Sequence, residues 1–195
     1  MLIVGISSSP RRGGNSETLL DRALEGAEAS GALTRKIVLD DLEIAHVSEK
    51  EYGTVDDRGL TVVNDDMRDL VGLIREAGGV IMASPVFFGS LSSQAKTMID
   101  RFQCVWLARN VMKMDVFSTR KRGAFISVQA AGRNDFFENS KAVVRHFFAT
   151  INTEYYREVA AYGLEEKGAV LSRPDLLEKA YELGRELASG IAQSA

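Results

Sequence analysis

Short apolar runs alternate along this chain with stretches in which apolar residues recur every three or four positions. Leu2-Ile3-Val4 is too short and too uniformly apolar for a surface helix, and reads as a strand buried on both faces of a parallel sheet. The stretch that follows reads as a helix with Asn15 as its N-cap and Leu19, Leu20, Ala23 and Leu24 on its buried face. Further strands are predicted over Leu33–Leu39, Gly78–Ser84, Gly123–Val128 and Thr153–Tyr162. Further helices are predicted over about Asp66–Ala77, Leu91–Trp106, Asn139–Ile151 and Asp175–Ile191. Parallel neighbours need crossovers, so this alternation predicts an α/β chain: a doubly wound open parallel sheet of five strands with helices on both faces. Residues 1–195 read as a single domain. Asp40–Asn64 follows neither period and forms a long loop insertion at about 40–65.

Ligands of such sheets lie beyond the carboxyl ends of the strands, where strand order reverses. Three loops are therefore expected to converge: Ser7–Gly14, Pro85–Ser90 and Gln129–Asp135. The first is rich in serine, glycine and arginine and opens straight into a helix, whose unpaired amides and aligned dipoles favour an anion. It lacks both the Gly-x-Gly-x-x-Gly spacing of a dinucleotide fold and the lysine of a triphosphate loop. Monophosphate binding fits better, with hydroxyls, amides and Arg11 or Arg12 as donors. The competing reading is an ordinary capped helix with solvated arginines. Phe87 and Phe88 are adjacent, so both cannot face one way on a strand, and at least one should line a cavity.

The net charge of −3 and pI of about 5.5 give no electrostatic reason for nucleic-acid or anionic-membrane binding. The short run Arg120-Lys121-Arg122 is expected to be a solvated strand entrance. No apolar run approaches the roughly twenty residues of a membrane-spanning helix, and no signal-peptide pattern precedes the first strand, so a cytoplasmic location is expected. The single cysteine, Cys104, excludes an internal disulfide and is expected to be a buried structural thiol. Lys96 and Asp100 are expected to pair along a helix. His46 is expected to be solvated in its loop and His146 to sit on a helix at a core boundary. The third strand ends in Ser84-Pro85 where a receiver domain needs an acid, so that reading fails.

Ser9-Pro10-Arg11-Arg12-Gly13-Gly14-Asn15-Ser16 resembles the phosphate loop of the NAD(P)H-dependent FMN reductases and iron-sulfur flavoproteins of the flavodoxin-like superfamily. Ser84-Pro85-Val86-Phe87-Phe88-Gly89-Ser90, followed by Gln94, Lys96 and Ile99-Asp100-Arg101, is similar to the family's second signature. The likeness covers Leu2 to about Val128. It implies a flavodoxin-like sheet of order 2-1-3-4-5 and an FMN whose phosphate is held by Ser9, Arg11, Asn15 and Ser16, with Ser7 also among the cofactor-binding residues. Pro85, Val86, Phe87, Phe88 and Gly89 would border the ribityl chain and ring, and Ala131 and Gly132 would offer amides to its pyrimidine end. The third loop departs from the family's glycine-rich run, which leaves open a scaffold that has lost its flavin.

Where iron-sulfur members carry cysteines, this chain has His46, Ser48, Lys50 and Tyr52, so no iron-sulfur cluster and no metal is expected. The resemblance implies hydride transfer from NADPH or NADH to FMN and on to a small-molecule acceptor such as a flavin or quinone. The flavin carries the chemistry, and no catalytic side chain is named. The alternative is an electron shuttle that binds FMN but is reduced by a protein partner. A homodimer or homotetramer is also implied, with the loop after Asp40 and the segment Ala108–Ser118, containing Met112 and Met114, as its face.

Overall fold

A computed structural model of the chain describes residues 1–49, 52 and 54–192, so Lys50 lies outside the described residues. Five long strands, β1 (Leu2–Ser7), β2 (Leu33–Val38), β3 (Gly79–Phe87), β5 (Lys121–Gln129) and β6 (Thr153–Tyr162), form a parallel sheet of order β2-β1-β3-β5-β6. These are the five strands the pattern predicts, in the predicted order. A two-residue strand, β4 (Ser90–Leu91), folds back antiparallel on the end of β3. The helices are α1 (Asn15–Ala29), α2 (Met67–Glu76), α3 (Ser93–Arg101), α4 (Gln103–Asn110), α5 (Asn134–Thr150) and α6 (Pro174–Ala192).

Alternation along the strands divides the core in two. Ile3, Ile81 and Ile126 face α1 and α6, whereas Val4, Ile6, Val80 and Met82 face the layer built from α2 to α5. The two helices of the first layer touch through backbone. A methyl group on Gly26 would lie 2.0 Å from the Tyr181 carbonyl oxygen, and one on Gly184 would lie 1.7 Å from that of Ala23. Only a hydrogen at these positions permits the crossing.

The expected single helix over Leu91–Trp106 is two, interrupted at Phe102. The Phe102 amide donates to the Ile99 carbonyl at 3.0 Å, a tighter turn than the α-helical one. Its buried ring packs edge-on against Phe147, with centroids 4.9 Å apart. Helix α5 starts at Asn134, five residues before its apolar period begins at Asn139. Lys121 is not solvated as its basic neighbours suggest. It is 1 % exposed, its Nζ donates to the carbonyls of Arg75 (3.2 Å) and Thr119 (3.3 Å), and burial lowers its pKa.

The insertion is ordered by one buried cation. Arg101, 3 % exposed, donates from Nη1 to the Ala45 carbonyl (2.8 Å) and Asp65 Oδ2 (2.5 Å). Its Nη2 donates to Thr61 Oγ1 (2.8 Å) and Asp65 Oδ1 (3.2 Å). Leu42, Ile44 and Val55 pack on the core, and Leu60 is buried in it. A methyl on Gly59 would meet Ala108 Cβ at 2.7 Å, so the segment lies tightly against α4. Among the described residues no helix is long and apolar enough to cross a membrane.

Candidate functional site

The carboxyl ends of β1 and β3 are joined through serines. The Ser8 amide and hydroxyl both donate to the Ala83 carbonyl at 3.0 Å. Ser92 Oγ donates to the Ser8 carbonyl (2.7 Å) and caps α3 by accepting from the Ala95 amide (3.2 Å). The Ser92 amide in turn donates to Ser84 Oγ (3.2 Å). Three hydroxyls thus fix the first two loops in one frame before any ligand is considered.

Within the first loop, Ser9 Oγ accepts from the Arg11 amide at 3.1 Å and folds the turn. Gly14, not Asn15, occupies the cap position of α1, and no side chain caps it. A methyl on Gly14 would lie 3.0 Å from the Arg11 carbonyl oxygen and 3.2 Å from Ser9 Oγ, so the turn admits only glycine without adjustment. The first amide to close an intrahelical bond is that of Thr18, donating to Gly14 at 2.9 Å. The amides of Asn15, Ser16 and Glu17 therefore project from the positive end of a fifteen-residue helix without an intrahelical acceptor. Glu17 turns back to accept from the Gly13 amide (2.8 Å) and pairs with Lys36 (3.1 Å). Arg12 points elsewhere, into an ion pair with Asp41.

A cavity of about 260 Å³ opens at this corner, lined by Ser9, Arg11, Gly14, Asn15, Ser16, Pro85, Val86 and Phe87 on one side and by Val128, Gln129, Ala130, Leu164, Glu165 and Lys167 on the other. Ser7, the last residue of β1, does not line it and is fully buried, its Oγ without a partner. The structure thus brings together seven of the expected residues and places Ser7 and four others outside the lining. Strand β3 runs on to Phe87, which lines the cavity, and Phe88 and Gly89 form the two-residue turn to β4, both at positive φ (50° and 76°). Phe88 is fully exposed. Ala131 and Gly132 also lie off the cavity, because Gln129 Nε2 donates to the carbonyls of Ala131 (2.7 Å) and Arg133 (2.6 Å) and curls the third loop toward α5. Gln129 Oε1 is buried without a partner.

A fourth loop, between β6 and α6, was not legible as part of the site. Asn15 Nδ2 donates to the Glu166 carbonyl at 2.8 Å, and Asn15 Oδ1 accepts from the Val170 amide at 3.2 Å. Arg11 Nη1 donates to the Glu165 carbonyl at 3.3 Å. These partners are more than 150 residues apart in sequence, and the only cue in the chain is a polar turn, Glu165-Glu166-Lys167-Gly168, at the end of a predicted strand.

Other expectations settle simply. Cys104 is buried, and burial raises its thiol pKa. Lys96 Nζ pairs with Asp100 at 2.6 Å on an exposed face. His46 and His146 are both exposed. A larger cavity of about 440 Å³ lies between α3, α4 and α5, lined by residues such as Ile99, Trp106 and Phe147. It meets neither a strand end nor a helix amino terminus.

Donors at the start of α1 suit an anion, and the apolar slot between the ends of β3 and β5 suits a flat group beside it. Fold and corner together define a flavodoxin-like α/β protein with an anion-suited corner at its strand ends. The family described as NADPH-dependent FMN reductase matches residues 1–160, and the chain belongs to it. It is 38% identical over 101 residues to an iron-sulfur flavoprotein of Methanosarcina thermophila, and the match covers 52% of each chain. The chain thus spans about half the length of that relative. It is 30% identical over 153 residues to an iron-sulfur flavoprotein of Methanocaldococcus jannaschii, covering 76% of this chain and 72% of the relative. The fold is similar to that of an NAD(P)H:quinone oxidoreductase from Methanothermobacter marburgensis, with a TM-score of 0.75, 16% identity and 96% of both chains covered.

Proposed function

We propose that the chain binds FMN at this corner and acts as an NAD(P)H-dependent reductase of a small acceptor such as a flavin or quinone. The observation that carries the reading is the joining, in one cavity, of the open amides of α1, the Arg11 guanidinium and an apolar slot ending at Phe87. A phosphate would be held by the amides of Asn15 and Ser16 and the charge of Arg11. Pro85, Val86 and Val128 would hold apolar surface, with the half-exposed Phe87 ring at the open rim. FMN, when bound, supplies hydride acceptance and return. The chain's own work is to bind, orient and shield; no side chain lining the cavity is placed as a proton donor.

A second copy is proposed as partner, through apolar residues left exposed at Trp106, Val111 and Met112; Met114 packs on the core instead. The test is anaerobic addition of NADH or NADPH to FMN-loaded protein, followed by steady-state turnover with menadione. Bleaching of the yellow chromophore with turnover supports a reductase. Bleaching by a protein reductant alone, without nicotinamide turnover, would assign the electron-shuttle alternative.

A further inference from the structure

We infer that Lys167, carried by the 164–170 loop, is a phosphate-recognition residue that makes the site select FMN over its unphosphorylated form, with Asn15 acting as the positioning residue that latches this loop in place. The inference rests on the reading of the cavity as an FMN site. In the family resemblance Asn15 is a phosphate ligand, but here its side chain is spent. Both its polar atoms serve the Glu166 carbonyl and the Val170 amide, and it is 7 % exposed.

The amide of Gly13 is also spent, on Glu17, whose carboxylate brings a negative charge into the first turn. A phosphate at this corner therefore meets fewer neutral donors and one nearby acid, which Lys36 offsets from the far side. Positive charge must come from elsewhere. Among the described residues that line the cavity, the cations are Arg11 and Lys167. Lys167 lies over the phosphate loop: a methyl on Gly13 would stand 3.6 Å from its Cε and 3.8 Å from its Nζ. Among the described residues it has no ion-pair partner, although Glu165 and Glu166 precede it.

The loop that carries it is held by Asn15, through Glu166, Val170 and a longer bond to the Leu164 carbonyl (3.5 Å), by Arg11 donating to the Glu165 carbonyl, and by the Leu164 amide donating to the Gln129 carbonyl (3.1 Å). An ammonium placed by a fixed loop adds a charge-assisted bond to a phosphate dianion and nothing to a neutral ribityl alcohol. Gln129, 4 % exposed with its Oε1 unpartnered, lines the same cavity and marks it as built for a polar guest.

The test is equilibrium titration of the cofactor-free chain with FMN and, separately, with riboflavin, followed by quenching of flavin fluorescence. Lys167→Gln should weaken FMN about tenfold and riboflavin less than twofold, and Lys167→Arg should restore most of the loss. Asn15→Ala should lower the FMN-to-riboflavin preference in the same direction while raising amide exchange across 164–170. Wild-type protein that binds neither flavin overturns the FMN reading itself. Wild-type protein that binds FMN, with Lys167→Gln weakening both flavins alike or neither, overturns the role of Lys167 alone. An Asn15→Ala chain that loses FMN with no change in exchange across 164–170 assigns Asn15 to the phosphate and overturns the latch.

Discussion

Replacing Arg101 by methionine isolates what holds the 40–66 segment. The guanidinium is almost fully buried and makes four hydrogen bonds, two of them to an Asp65 carboxylate that is only 10% exposed. Asp65 also accepts from the amides of Ala45 (3.1 Å) and Met67 (3.2 Å), so it cannot turn out to water without releasing the loop and the start of α2. Methionine fills the volume of the stem but leaves a buried carboxylate without its counter-cation and the Ala45 carbonyl without its Arg101 donor. Breaking one side of such a pair costs about 3–5 kcal/mol, a large share of the roughly 5–15 kcal/mol that holds a domain together. At about 2–4 °C per kcal/mol for a chain of this size, the melting temperature should fall by ~6–20 °C.

Denaturant unfolding of Arg101→Met, Asp65→Asn and the double variant gives the coupling directly. The double variant should be less destabilised than the sum of the singles by about 2 kcal/mol or more, because the orphaned charge is gone. Amide exchange should rise first across 42–66. A loss below about 1 kcal/mol for Arg101→Met, or strict additivity of the two changes, would refute the clamp.

Gly184→Ala should cost about 3 kcal/mol or more, since its methyl would enter the Ala23 carbonyl of the facing helix; calorimetry showing an unchanged melting temperature would contradict that crossing. Burial holds the pKa of Lys121 below its ordinary 10.5. The unfolded chain therefore binds more protons than the folded one between the folded value and 10.5, so stability gains with rising pH in that window. Lys121→Met should lose this gain, seen as a flatter dependence of unfolding free energy on pH toward 10.5, and identical slopes would refute it. Met112→Glu should shift the molecular mass measured by light scattering toward a monomer; an unchanged mass would place any subunit contact elsewhere.

The period of apolar residues was enough to read all five long strands, most plainly β1, β3 and β5, which are buried along most of their length; their order followed from the family resemblance. The first two loops were legible for a similar reason: their serines, glycines and prolines sit at junctions that the strand pattern fixes. What the sequence hid was pairing at long range. Asn15 looks like a helix cap from its neighbours, yet its partners are Glu166 and Val170, which no local rule connects to it. Lys121 looks solvated beside Arg120 and Arg122, and is buried because strand alternation turns it inward. The break at Phe102 follows from an aromatic contact with Phe147, forty-five positions later, and not from any helix breaker. Arg101 is visible as part of a motif, but its work on a loop 36 to 56 residues earlier is not.

The central claim is that the open amides of α1, with Arg11, enclose the phosphate of a bound flavin. A phosphorus NMR titration of FMN on the protein tests it most directly, since the second ionisation of a free phosphate monoester lies at about 6. The account predicts a shifted resonance that keeps its dianion position as the pH is lowered from about 8 to about 5, because the helix amino end and cations favour the charged form. A resonance that titrates near 6 as it does in free FMN, on protein that holds the flavin, would contradict it.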